Sequence, residues 1–354
     1  MRGVGIEVDS VHAQNALRIL DAMGLTDHTL KFLHNDRNLI IPVKRHPSVN
    51  ELSEVISCSP EARIVETTFD KSTERLRTIR EATERSMPLQ MLERLPRSYD
   101  IIGDIAIVEL NDELDEFAEP IGKGIMQLNP HVRLVVKKTA KTAGQYRTRG
   151  IERIAGEGST ETVHHEFSCK LLLDVASVYF NPRLSHERMR IAKQVKIGET
   201  IVDMFAGVGP CSILIGKTQP TAKVFSVDLN PIAYKYLAEN VFLNKLADRV
   251  FPLMGDVRNL VSRKLGNVAD RVVMNLPSDS TAFLQTAVAL LKPSGGWIHY
   301  YVFASRDEGV ETTTDVFCKG IEAYGRKVES FGFKRIMKEV APNRVEICLD
   351  AIVH

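Results

Sequence analysis

The sequence predicts an α/β protein: a doubly wound parallel sheet from about Thr200 onward, preceded by two smaller α+β domains. Three observations carry this expectation. From Thr200, strand-like apolar runs alternate with helical patterns, which implies a parallel sheet with helices on both faces. A tight Ala206-Gly207-Val208-Gly209 turn joins the first of these strands to an apolar helix opening at Pro210. Asp203, Asp228, Asp256 and Asn275 fall at the tips of four successive strands, where open α/β sheets bind their ligands.

The composition excludes several classes. The chain has 354 residues, 44% hydrophobic and 26% charged, as in an ordinary soluble protein of two or three domains. No apolar run approaches the ~18 residues of a membrane span. No charged-then-apolar leader opens the chain, so a cytoplasmic protein is expected. Cys58, Cys169, Cys211, Cys318 and Cys348 are scattered without a C-x-x-C pair, so neither a zinc site nor a disulfide framework is expected. The working expectation is a monomer without membrane or metal.

Residues 1–69 read as a small α+β module. Ala16, Ile19, Leu20 and Met23 share one helical face, and Gly24 suits the helix end. Apolar runs at 30–33 and 39–43 flank a hairpin turn; 47–56 reads as a second helix and 63–69 as a closing strand. This module carries no chemical constellation and suits docking or packing. Residues 70–88 are charged and poor in aromatics, a linker or a solvated helix.

Residues 89–178 read as a second α+β domain. Apolar runs turn at Gly103-Asp104, 112–128 suits a helix, 132–136 and 145–154 suit strands, and 161–167 with 170–174 suit a hairpin. Between Arg133 and Arg153 the basic residues Arg133, Lys137, Lys138, Lys141, Arg147, Arg149 and Arg153 face one acid, Glu152. Such an excess suits a phosphate-facing edge; lysines guarding a solvated sheet edge are the alternative.

The third domain, 179–354, opens with a helix in which Arg183, Glu187 and Arg190 share a face. Surface ion pairing, worth about 0.3–0.5 kcal/mol, is one reading; a carboxylate beside a ligand pocket is the other. The glycine turn follows. A dinucleotide site wants a third glycine, and Ser212 stands there instead. Asp203 before the turn would repel a pyrophosphate but suits the cationic amino-acid end of S-adenosylmethionine. Asp228 suits a ribose diol. Asp256 suits an adenine amine, or caps a helix. Runs at 253–257, 270–276 and 297–303 read as the third, fourth and fifth strands, with 335–340 and 345–352 as a closing antiparallel pair.

Four segments in order, VDMFAGVGP, VDLNP, GDVR and MNLP, resemble the archaeal and eukaryotic tRNA guanine-37 N1-methyltransferases. YRTRGIERIAGE and YFNPRLSHERMRI upstream and IHYY downstream extend the resemblance over about residues 95–354. The first module resembles the extra domain of archaeal members. The resemblance implies a class I methyltransferase, Rossmann-like fold, S-adenosylmethionine as cofactor, tRNA as partner and methyl transfer to N1 of guanosine 37. It implies Glu187 as general base, Arg147 near the guanine oxygen, and Asn275 as the NLP asparagine. It makes Asp228 a donor-binding acid, to which the adjoining Arg188, Asp203, Phe205, Gly207, Gly209, Leu229, Asp256, Val257 and Pro277 are added. Expected tRNA contacts are Arg133, Lys137, Lys138, Arg149 and Arg183.

The chemistry agrees with an acid–arginine pair. Neutral guanine carries a proton on N1, so methylation needs a base and leaves charge on the exocyclic oxygen. Methylation of an exocyclic amine instead calls for an Asn/Asp-Pro-Pro-aromatic loop, and Asn275 is followed by Leu276, Pro277 and Ser278. Ser278-Asp279-Ser280 also lacks the basic or aromatic residue that some members carry there. Wybutosine-pathway enzymes share the framework, so further methylation of a tricyclic guanosine, or aminocarboxypropyl transfer, is the runner-up. A non-catalytic RNA-binding protein is the third reading.

Overall fold

The computed structural model describes residues 1–35, 37–70, 76–84, 86–139 and 150–354. They form two compact units, Met1–Ala82 and Thr83–His354.

The first unit contains β1 (Arg2–Asp9), α1 (Ala13–Ala22), β2 (Leu33–Asn35), β3 (Asn38–Val43), α2 (Val49–Cys58) and β4 (Arg63–Thr68). Its antiparallel sheet has the order β2-β3-β1-β4. Ala16 and Leu20 of α1 and Val55 of α2 are buried beneath it, and Gly24 ends α1 in the left-handed region at φ +67°. The α2 helix starts at Val49 rather than residue 47 because Ser48 and Glu51 form a reciprocal capping box. One of the sheet's two central strands, β1, was not expected. Gly3 and Gly5 interrupt its apolar pattern, and a Cβ on Gly5 would stand 2.6 Å from Ile40 Cγ2.

Two short helices follow, α3 (Ile79–Thr83) and α4 (Leu89–Leu92). The second unit then builds a four-stranded sheet from β5 (Asp100–Ile102), β6 (Ile105–Val108), β7 (Leu134–Lys138) and β8 (Ile151–Gly156), in that order. The crossover from β6 to the parallel β7 carries α5 (Ala118–Leu128). The single helix expected over 112–128 is a 3-10 turn, Asp112–Phe117, leading into α5. Pro120 cannot donate to a carbonyl one turn back, so the α-helix begins just before it. Of the strand expected over 145–154, residues 145–149 lie outside the described residues. A separate hairpin, β9 (Glu161–Glu166) and β10 (Cys169–Asp174), turns through left-handed Phe167 and Ser168.

The remainder is α6 (Ser185–Gln194), β11 (Thr200–Asp203), α7 (Pro210–Thr218), β12 (Lys223–Asp228), α8 (Pro231–Leu243), β13 (Val250–Met254), α9 (Val257–Leu260), β14 (Arg271–Met274), α10 (Leu284–Leu290), β15 (Gly296–Ser305), α11 (Gly309–Glu322), β16 (Val328–Ala341) and β17 (Arg344–Val353). The seven-stranded sheet has the order β13-β12-β11-β14-β15-β17-β16, parallel except for β17, which runs antiparallel to both neighbours. Ile201 packs into the core on one face and its neighbour Val202 into the core on the other. Burial on both faces is why these strands read as continuous apolar runs. The third strand is Val250–Met254 rather than 253–257. Pro252 sits inside it because β13 is an edge strand, where a missing N–H is tolerated.

The β9–β10 hairpin is fastened to α8. Asn240 Oδ1 accepts from the Leu172 N–H at 2.7 Å and Asn244 Oδ1 from the Lys170 N–H at 3.0 Å, while their amides donate to the carbonyls of the same two residues. The strand order reverses between β11 and β14, and the carboxyl ends there open a cleft, as the doubly wound topology dictates.

Candidate active site

The glycine turn builds one wall of this cleft. Gly207 (φ +58°) and Gly209 (φ +88°) both occupy the left-handed region. A Cβ on Gly209 would lie 2.4 Å from Leu237 Cδ1, so that glycine serves the close packing of α7 and α8. A Cβ on Gly207 would approach only the Tyr179 carbonyl, at 3.8 Å, so this position faces open space where a ligand can approach the backbone.

Asp203 is 2% exposed, and its Oδ2 accepts from the Ser212 hydroxyl at 2.7 Å. Burial pushes its pKa up to about 6, against the opposing hydrogen bonds from Ser212 and the Phe205 N–H. Asp228 accepts from the Gly207 N–H at 2.7 Å and the Asn230 N–H at 2.8 Å. Burial raises its pKa too. Asp256 caps α9 by accepting from the Arg258 N–H at 2.9 Å, and the Arg258 side chain holds its pKa down.

Among the residues expected at the donor site, Arg188, Asp203, Phe205, Gly207, Asn275 and Pro277 line the cleft, together with Leu184, Phe303, Lys338 and Glu346. Gly209, Asp228, Leu229, Asp256 and Val257 are not among its lining residues. Arg188 is buried, with its guanidinium paired to both oxygens of Glu166 and lying 5.3 Å from the Phe180 ring.

Glu187, expected as the general base, is not among the residues that line the cleft and lies in a buried polar network. Its Oε1 accepts from the Tyr301 hydroxyl and from Arg190 Nη2 at 2.6 Å, and its Oε2 accepts from Arg190 Nε at 2.9 Å. Arg190 also binds Asp350, whose Oδ1 receives the His299 ring at 2.7 Å. The far nitrogen of His299 meets Arg271 Nη1 at 2.8 Å. Since Arg271 can only donate, His299 Nε2 accepts and Nδ1–H points at Asp350. Burial lowers the His299 pKa and favours this neutral ring. Burial opposes the charge on Asp350, but the His299 and Arg190 bonds hold its pKa far below the ordinary range. Burial also keeps the Tyr301 hydroxyl protonated, so it is the donor to Glu187. Surface ion pairing is thus corrected for Glu187, whose side chain is 10% exposed.

The TRM5/TYW2 methyltransferase domain matches residues 162–329 and the TYW2 N-terminal domain matches residues 79–160. The tRNA (guanine(37)-N(1))-methyltransferase Trm5b of Pyrococcus abyssi is 38% identical over 347 residues, covering 98% of each chain. The chain belongs to the TRM5/TYW2 methyltransferase family. Its sheet is the Rossmann-like fold of that family. The solved complex of aTrm5 and tRNALeu superposes with a TM-score of 0.73 at 29% identity, over 99% of both chains. A tRNA(Phe) (4-demethylwyosine(37)-C(7)) aminocarboxypropyltransferase of Pyrococcus horikoshii is 32% identical over 77% of this chain and 95% of its own.

Within this family member, the basic window divides. Arg147 and Arg149, with Lys141, lie outside the described residues. Arg133 is not free to meet phosphate: it pairs with Asp104 at 2.8 Å and donates to the carbonyls of Glu157, Ser159 and Glu161, holding a chain reversal together. Lys137 sits between Asp115 at 2.7 Å and Glu152 at 3.2 Å, and Lys138 meets Glu109 at 3.2 Å. Arg183 pairs with Asp100 at 2.6 Å, rather than with Glu187, and its side chain remains 60% exposed.

Sequence reading gave no role to His299 and Tyr301, although IHYY contains both, and missed Asp350, Glu346 and Lys338. A signal was available in VEICLDAIV, where Glu346, Cys348 and Asp350 alternate on one face of an otherwise apolar strand. Buried acids there call for partners. Among the described residues no helix is long and apolar enough to cross a membrane, and no cluster of His, Cys, Asp and Glu has the arrangement of a metal site.

Proposed function

We propose that this chain transfers a methyl group from S-adenosylmethionine to N1 of guanosine 37 in tRNA. The observation that carries the reading is the similarity to an N1-methyltransferase over 98% of both chains, against 77% of this chain for the aminocarboxypropyl relative. Three residues in or beside the cleft support donor binding. Asp203 offers a buried carboxylate to an ammonium group, Gly207 leaves room for a ligand against the backbone, and Asp228 is aimed at the turn by the Gly207 and Asn230 N–H groups. S-adenosylmethionine supplies an electrophilic methyl on a sulfonium.

The protein's own residues then have these roles. Asp228 accepts from ribose hydroxyls and Asp203 receives the ammonium. Asn275 orients the target base, with Pro277 and Phe303 as apolar walls that exclude water. Glu187 removes the N1 proton. A carboxylate has about four lone-pair positions. Tyr301 and Arg190 occupy both at Oε1 and one at Oε2, which leaves one at Oε2 for the proton. Asp350 shares the same guanidinium, so Glu187 does not have the charge of Arg190 to itself. Arg147 is proposed to stabilise the charge that develops on the guanine oxygen. Arg149, Lys137, Lys138 and Arg183 are proposed to contact the tRNA backbone. Residues 1–69 are proposed as a tRNA-docking module joined by 70–88 to the RNA-binding domain 89–178 and the catalytic domain 179–354.

A second reading, aminocarboxypropyl transfer, draws on the 32% identity to that relative over 77% of this chain. Mass spectrometry of nucleosides from tRNA incubated with the protein and donor separates the two. A gain of about 14 Da on guanosine supports methyl transfer, and about 101 Da supports the larger arm, as follows from the groups transferred.

A further inference from the structure

The cleft that Asn275 and Arg188 line also carries an ion pair for which the proposed donor site has no use. Glu346, on β17, is only 3% exposed yet lines the cleft. Its Oε2 meets Lys338 Nζ of β16 at 3.0 Å, and the Lys338 side chain is 38% exposed. Among the described residues, Lys338 is the one ionic partner of Glu346, and no protein hydrogen bond reaches Oε1. Oε1 is not among the fully buried polar atoms that lack a partner, so it keeps access to the cleft, where a ligand can reach it.

The fold places this carboxylate beside the Asn275-Leu276-Pro277 turn. Glu346 stands opposite Phe303 in the register of β15 and β17, and the Phe303 N–H donates to the Pro277 carbonyl at 3.0 Å. The pair therefore adjoins the Asn275-Leu276-Pro277 turn, on the opposite side of Asn275 from the strand tips of Asp203 and Asp228.

We propose that Glu346, neutralised by Lys338, is a specificity-determining residue whose free oxygen accepts from the exocyclic amine of the target guanine. This inference rests on the N1-methylation reading. A carboxylate is an acceptor only. Along its Watson–Crick edge guanine offers a carbonyl, the N1 proton and the amine, and of these only the amine keeps a donor once N1 has lost its proton. Adenine and hypoxanthine carry no amine at that carbon, so a buried acceptor there is left unpaired by either. Sites that hydrogen-bond a substrate group reject analogues lacking it far more strongly than apolar pockets do. Lys338 balances the charge, so the carboxylate does not oppose the negative charge that forms on the base.

The alternative is a strap that merely ties β16 to β17. Single-turnover methyl transfer to two tRNA transcripts, identical except for guanosine or inosine at position 37, tells them apart. Transfer by the parent to the guanosine transcript is read first, and its absence would overturn the N1-methylation reading itself. The parent should favour guanosine by about tenfold or more, as expected for one hydrogen bond to a charged group. Glu346→Leu should lose that preference by slowing guanosine while leaving inosine within about twofold. Glu346→Gln preserves shape and a weaker acceptor, and should fall between the two. It keeps the test available if the leucine variant does not fold. A parent indifferent to the amine, or variants that slow both transcripts equally with the ratio unchanged, would overturn the assignment of Glu346.

Discussion

Asp203→Asn should make the protein more stable and a poorer binder of its donor. The carboxyl is 2% exposed, and burial raises its pKa from 3.8 to about 6. Each tenfold gain in proton affinity corresponds to about 1.4 kcal/mol, so ionised Asp203 costs the fold roughly 3 kcal/mol at neutral pH. Because the folded value lies above the unfolded one, the stabilising proton is fully bound below pH 3.8 and is lost as pH rises through about 6. Asparagine never ionises and can still accept from Ser212. The stability of the variant relative to the parent should therefore grow with pH, with about 1.4 kcal/mol of the difference developing between pH 5 and pH 8. Urea denaturation of both proteins at each pH measures it. In parallel, calorimetry should show the parent's affinity for S-adenosylmethionine weakening as pH falls below about 6, with the variant weak and flat. A stability difference that does not change with pH, or a variant that binds the donor as the parent does, would refute the reasoning.

The other predictions concern donor, turn and RNA. Asp228→Ala should weaken S-adenosylmethionine binding at least about tenfold, since hydrogen bonds to charged groups contribute roughly 1.5–3 kcal/mol each; an unchanged affinity in calorimetry removes Asp228 from the donor site. Gly209→Ala should destabilise the fold by about 1–3 kcal/mol, because its Cβ would meet Leu237 at 2.4 Å in a left-handed backbone, and thermal melts that coincide with the parent's would contradict this. Reversing Lys137 and Lys138 to Glu should lower tRNA affinity and flatten the dependence of log K on log salt. A slope equal to the parent's leaves their pairings with Asp115, Glu152 and Glu109 as their whole role.

What could be read from the sequence follows from the range of the interactions involved. Asp203, Asp228 and Asn275 were legible because a strand tip is a local feature: an apolar run ends and a polar residue stands at its edge. The partners of Glu187 were not. Arg190 meets Asp350 across 160 positions of chain, and no helical spacing reports that. The same spacing argument misled at Arg183, which sits in the 3-10 turn Pro182–Leu184 before α6 and so does not share the helical face of Glu187. Counting charges in the basic window likewise omitted the acids that meet it. Asp104, Glu109 and Asp115 lie 22 to 29 positions earlier and arrive only when β5, β6 and β7 are side by side.

The most direct test of the account is the single-turnover rate of Glu187→Gln on tRNA bearing guanosine 37. Glutamine keeps the size of the side chain and accepts from Tyr301, but it cannot take a proton at neutral pH. Donor and tRNA binding should survive while methyl transfer to N1 falls by about 10²–10⁴-fold, the usual loss when a general base is removed. Any limb of the pH–rate profile that belongs to the carboxylate should vanish with it. Transfer at the parent rate would contradict the account: Glu187 would then be a buried structural partner of Arg190 and Tyr301, and the base would lie elsewhere.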